Sequence, residues 1–137
     1  MTGAPATATY ALTATVNQPY AQTVTATRAA LAEQGFGILT EIDLAATLKT
    51  KLDADIAPQV ILGACRPPLA YAAVRAEPSI GLLLPCNVVV RALDDTHTCV
   101  EAMDPAIMVT LTGNDALAEV AADASTRLTA ALHSLRT

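Results

Sequence analysis

Two apolar stretches, Gly81 to Leu93 and Thr96 to Met103, flank Asp94-Asp95, and this arrangement constrains the fold more than anything else in the chain. Short polar residues between two such runs favour a tight turn, so a β-hairpin is expected. A hairpin supplies at least one antiparallel strand pair and rules out a purely parallel sheet.

The preceding residues alternate between strand and helix signals. Tyr10, Leu12, Ala14 and Val16 recur with period two and predict a first strand. Pro19 suits a helix start, and Val24, Thr27, Arg28 and Leu31 carry a helix to about Gln34, with Gly35 as its C-terminal cap. Phe36, Ile38, Thr40 and Ile42 alternate as a second strand. Asp43 offers an N-cap oxygen to a short helix with Leu44, Leu48 and Leu52 on one side. Gln59 to Ala64 is an apolar run before Pro67-Pro68, which fits a buried third strand followed by a helix ending near Glu77-Pro78. After the hairpin, Asn114 caps a final helix striped by Leu117, Val120, Ala121, Ala124, Leu128, Ala131 and Leu135. The expected order is βαβαβαββα. That order predicts an α+β two-layer sandwich, a mixed β-sheet with helices packed mainly on one face. Residues 1–7 are expected to form a flexible tail before a single domain over 8–137.

The mean hydropathy of +0.41 and the 53% hydrophobic content owe much to alanine. No run approaches the ~20 apolar residues of a spanning helix. The longest, Ile80 to Val90, is interrupted by Pro85 and Asn87 and reads better as a strand. Met1 to Thr9 carries no lysine or arginine, so no secretory leader is recognised, and a cytoplasmic chain with reduced thiols is expected. The net charge is −5 and the eight basic residues are scattered. Nucleic-acid binders cluster their cations against phosphates, so neither nucleic acid nor a membrane is an expected partner.

Candidate chemistry centres on Gly63-Ala64-Cys65-Arg66-Pro67-Pro68. Cys65 stands where a strand gives way to a helix, and the first N–H groups of a helix favour an anion such as a thiolate. Arg66 adds a positive charge. Cys86 follows Pro85, which cannot donate to a ladder and so implies a bulge or an edge near that thiol. Against this, free cysteine usually packs as a small hydrophobe, and Cys99 inside a strand is read that way. A structural zinc site is not supported, because no Cys-x-x-Cys pair is present and Cys65 and Cys86 would need further ligands. Glu41, Asp43 and Asp104 lie at strand ends where acid–base groups often sit, but caps and turns explain the two aspartates. No catalytic motif is recognised.

Gly35 to Asp43, Ala46-Thr47-Leu48-Lys49, Ile61 to Cys65 and Gly81 to Val90 together resemble the domain-of-unknown-function 302 family. The resemblance runs through Asp104-Pro105 into the last helix. It implies a small α+β domain, several relatives being dimeric, with Cys65 and Cys86 in the two most distinctive motifs. Two residues depart from the family pattern. Arg66 replaces the asparagine that usually follows the first cysteine, and Tyr71 stands where a histidine is common.

Two functions follow as expectations. One is a thiol-centred ligand-binding or redox module using Cys65 and Cys86, with Arg66, Asn87 and Glu41 as polar neighbours of a small-molecule ligand. The other is a homo-oligomer, a dimer in the first instance, in which the cysteines only pack and Val88, Val90, Cys99 and Met103 form the interface. No cofactor is indicated by the sequence.

Overall fold

The computed structural model describes residues 8–136; the tail expected at 1–7 lies outside them. Five strands carry the chain: β1 (Ala11–Val16), β2 (Gly37–Asp43), β3 (Gln59–Cys65), β4 (Cys86–Ala92) and β5 (Thr98–Met103). Helices α1 (Tyr20–Glu33), α2 (Leu44–Leu52) and α3 (Pro67–Ala76) alternate with the first strands. Helices α4 (Ala106–Thr112) and α5 (Ala118–Ser134) close the chain. The sheet order is β1-β5-β4-β3-β2, and each neighbouring pair runs antiparallel. The α+β sandwich is as expected, but the sheet is antiparallel rather than mixed, because β1 and β2 lie at opposite edges and never pair.

Register assigns the core face. Ala14 stands opposite Val100, Val60 opposite Val90, Leu62 opposite Val88, and Val88 opposite Ala102, all buried. Against them pack Ala30 and Leu31 of α1 and Leu128, Ala131 and Leu132 of α5. Each fully buried valine or leucine side chain among these contributes roughly 1.5–3 kcal/mol. The α1 face also buries Thr23 and Thr27, whose hydroxyls donate to the carbonyls of Pro19 (2.9 Å) and Thr23 (2.7 Å) within the helix. Those bonds remove the cost of burying a polar group in the core.

A second, smaller apolar cluster lies beside the first. Ala73 of α3, Ile80, Met108 of α4, Leu117 of the 3-10 turn Asp115–Leu117, and Ala121 of α5 form its buried centre. Part of this cluster was not foreseen. Residues 81–83 are not strand: Pro78–Leu83 form a 3-10 segment, and β4 begins only at Cys86. Ile80 inserts into the cluster instead of continuing the sheet. Helix α4 was likewise missed, although Asp104 caps it by accepting from the Ala106 N–H (3.0 Å) and Gly113 ends it with φ +66°.

Among the turns, the hairpin differs in detail from expectation. The hairpin loop is residues 93–97 rather than Asp94-Asp95 alone. Asp94 organises it, accepting from the Thr96 N–H (2.8 Å) and from His97 Nδ1 (2.9 Å). These bonds hold the Asp94 carboxyl down at about 2, the Thr96 N–H being the main cause. Asp43 caps α2 as expected, accepting from the Ala46 N–H (2.9 Å), yet that helix buries no residue and Leu52 is exposed. Gly35 follows the α1 C-cap with φ +85°; its N–H donates to Ala32 O while the Phe36 N–H donates to Leu31 O. This is the Schellman arrangement, and it turns Phe36 inward.

Candidate functional site

Cys65 and Cys86 line one hollow. They come from adjacent strands: Ala64 is the register partner of Cys86, so Cys65 lies one residue beyond that pair, at the end of β3. Cys86 is 6% exposed, whereas Cys65 is half-buried. Burial is the chief reason the Cys86 thiol is pushed up from its ordinary value, and the charge of nearby Cys65 adds to it. The two sulfurs therefore share an environment in which the neutral form of the inner one is favoured.

The rest of the hollow is apolar. Phe36, turned in by the Gly35 cap, lies on one side, and Leu69, Ala70 and Ala73 of α3 on another. Met108 of α4 and Val120 and Ala124 of α5 complete it, with Leu84 and Pro85 before β4. The hollow thus lies where the two apolar clusters meet. Its free volume is about 30 Å³, room for roughly one or two water-sized groups.

Arg66 is the one charged residue of the lining among the described residues. It is the N-cap of α3 but makes no side-chain cap bond. Its Nε is buried and has no hydrogen-bond partner. An unpartnered buried donor costs free energy, on the order of 1–3 kcal/mol, more when charged. The guanidinium stem packs over Gly35, where a Cβ would come within 2.9 Å of Arg66 Nε.

The charge beside Cys65 is supplied by Arg66 and not, as the sequence suggested, by free helix N–H groups. Pro67 and Pro68 have no N–H, and the next two donors, of Leu69 and Ala70, both bond to Arg66 O (3.0 Å each). Pro85 does not bulge β4 either. The register shift lies in β2 between Ile38 and Thr40, and Pro85 precedes β4, joined to Leu84 by a cis peptide. Its ring packs across Gly63, where a Cβ would meet Pro85 Cγ at 2.8 Å and Thr40 Oγ1 at 2.1 Å.

Two expected neighbours lie elsewhere. Glu41 is exposed on β2 and pairs with Arg28 of α1. Asn87 is exposed on β4 and lines a separate hollow with Tyr10, Val89, Glu101 and Met103. Cys99 is buried as expected, its thiol pushed up mainly by burial and partly by Glu101, with Arg91 opposing. Asp104 acts as a cap. Met108 and Phe36 belong to the site and were not anticipated there. Met108 rides on the unforeseen α4, whose Asp104-Pro105 start and Gly113 end were visible as a start and stop signal.

The chain matches the family described as domain of unknown function DUF302 over residues 12–135, and it belongs to that family. It is also similar to a solved structure, the uncharacterized conserved protein DUF302 from Bacillus stearothermophilus. The two share 31% identity and a TM-score of 0.86, over 94% of this chain and all of the other. No curated protein matches. No helix among the described residues is long and apolar enough to cross a membrane.

Proposed function

We propose that this DUF302 protein is a thiol-centred ligand-binding module whose site is the hollow shared by Cys65 and Cys86. The observation that carries the reading is the common lining: two cysteines and one arginine with an unpartnered Nε surround a single small, otherwise apolar cavity. Cys65, half-buried, is the sulfur an entering group meets first, and Cys86 stands behind it. A ligand there replaces little water and finds one positive charge, which selects small, soft or singly anionic groups over hydrated multivalent ones.

Alkylation of the reduced, native protein followed by mass mapping tests this reading. Iodoacetamide is expected to modify Cys65 well before Cys86 or Cys99, which label only on unfolding. An unreactive Cys65, or three thiols reacting at one rate, refutes it.

A second reading, self-association, rests on the other face of the sheet. Register puts Ile42, Ile61 and Val89 on one row there, with Ile42 47% exposed. The interface expected from sequence splits, because Val88 and Val90 point into the core while Arg91 and Cys99 are register partners on the opposite face. Sedimentation at micromolar concentration decides it: a dimer disrupted by Ile42→Asp supports self-association through this row, and a monomer removes it.

A further inference from the structure

A third sulfur-bearing residue lines the hollow. Met108 is 1% exposed and lines the same cavity as Cys65 and Cys86, so three sulfur-bearing residues from three elements border about 30 Å³ of free space. Methionine is often only a gap filler. Here it coincides with two further sulfurs and with a buried cationic donor that nothing satisfies.

Donor chemistry narrows the occupant. Among the described residues no group of three or more His, Cys, Asp or Glu is placed to hold a metal ion. That counts against zinc, which takes four nitrogen or sulfur ligands, and against calcium or magnesium, which need oxygen. Thiolate and thioether sulfur suit Cu(I), which is soft and low in charge. The sequence counts Cys65 and Cys86 as too few for a tetrahedral ion. An ion content with two sulfurs and a weak third has no such shortfall.

Resting on the thiol-centred reading above, we propose that Cys65, Cys86 and Met108 bind one soft monovalent cation, Cu(I), with Arg66 as its counter-charge. On binding, the two S–H bonds break and both protons go to solvent. Each sulfur electron pair forms a Cu–S bond, copper stays in the +1 state, and no electron is transferred. Two thiolates around one monovalent cation leave a single negative charge in an apolar cavity. The Arg66 guanidinium balances that charge, and its unused Nε–H is available to a thiolate sulfur. The thioether of Met108 is neutral and adds a third donor without adding charge.

The test is an anaerobic titration of the full, reduced chain with Cu(I) against the competing chelator bicinchoninate, with X-ray absorption on the loaded protein. One ion per chain and a sulfur-only shell are expected. Cys65→Ser is expected to weaken binding beyond the roughly 100-fold upper range for supporting residues, and Arg66→Gln and Met108→Leu by about 10-fold each. Cys99→Ala leaves binding unchanged. If Cys86→Ala fails to fold, the half-buried Cys65→Ser variant, shown folded by circular dichroism, decides alone. Binding that survives Cys65→Ser, a nitrogen or oxygen shell, or no retention against bicinchoninate overturns the proposal. If copper fails while Cys65 is still the selectively alkylated thiol, the copper inference falls alone. If Cys65 does not react in the native protein, the parent reading falls with it.

Discussion

Replacing Gly63 by alanine probes how tightly the β3–β4 end of the sheet is assembled. Gly63 has ordinary backbone angles, so the substitution carries no conformational strain of its own, and restricting the unfolded chain favours the folded state by about 0.5–1 kcal/mol. The new Cβ, however, lies 2.1 Å from Thr40 Oγ1 and 2.8 Å from Pro85 Cγ. The Thr40 hydroxyl is on a short, stiff side chain, and the Pro85 ring has little freedom to yield. β3 is an interior strand held on both sides, so its backbone cannot move away. Overpacking costs about 1–3 kcal/mol, and two simultaneous clashes put this site near the top of that range. The net loss is about 2 kcal/mol, which lowers Tm by roughly 6–10 °C for a chain of this size. Thr40→Ala removes the shorter contact, so Gly63→Ala in that background is expected to cost only about 1 kcal/mol, a coupling of about 1 kcal/mol. Urea denaturation of the four proteins measures the cycle. A Gly63→Ala chain within 0.5 kcal/mol of the parent, or an identical cost in both backgrounds, would show that the Thr40–Pro85 packing is not what fills the space beside Gly63.

Gly35→Ala is expected to cost about 1–2 kcal/mol, because its φ of +85° disfavours any side chain and the new methyl meets Arg66 Nε; denaturation checks the cost, and an altered Cys65 alkylation rate shows that Arg66 has shifted. Burial raises the Cys86 and Cys99 thiols in the folded state only. The unfolded chain therefore ionises first as pH rises. Their stabilisation is complete below the ordinary thiol value and is lost as pH climbs from there through the folded values, at up to about 1.4 kcal/mol per pH unit for each thiol. Urea midpoints measured in reductant from pH 7 upward are expected to fall above about pH 8.5, less steeply in Cys99→Ala, and a flat profile contradicts this. For Asp94 the sign is opposite: its carboxyl is lowered to about 2, so the hairpin loop keeps its hydrogen bonds as pH drops and releases them only near that value. A carboxyl-carbon NMR titration with a midpoint near 4 would contradict it.

Much of the architecture was legible because it rests on periodicity. Most of the final stripe is buried as read, namely Leu117, Ala121, Ala124, Leu128, Ala131 and Leu135, with Val120 only partly buried; Asn114 caps a short 3-10 turn, Asp115–Leu117, that precedes α5. The alternation in β1 gave the right strand because one face of it is buried, and the apolar run of Gln59 to Ala64 marked β3 because that strand lies inside the sheet. The failures have two causes. Gly81 to Leu84 is a short apolar run, which does not distinguish a strand from a buried helical turn, and the Asp104-Pro105 turn was not extended into the helix that Gly113 ends. Tertiary packing around Ile80 and Met108 decided both. At the site, motif and break signals identified Cys65, Cys86 and Arg66 correctly as neighbours. Glu41 and Asn87 were included because they are close in sequence or at a strand end, but alternation sends Asn87 to the far side of the sheet and Arg28 engages Glu41. Met108 was invisible from sequence because only the folding of α4 carries it to the cysteines.

Where the two apolar clusters abut, the molecule has a seam, and the hollow is a gap in that seam. A group bound there, as proposed above, would act as a rivet between the sheet-backed body and the α3–α4 portion. By mass action its stabilisation grows with the logarithm of its concentration over its dissociation constant. The benefit would fall mostly on the smaller side, whose buried centre among the described residues is Ala73, Ile80, Met108, Leu117 and Ala121. Amide exchange in α3 and α4 should slow on occupancy far more than in β4 or β5, so the occupied protein is recognisable by where it has stiffened.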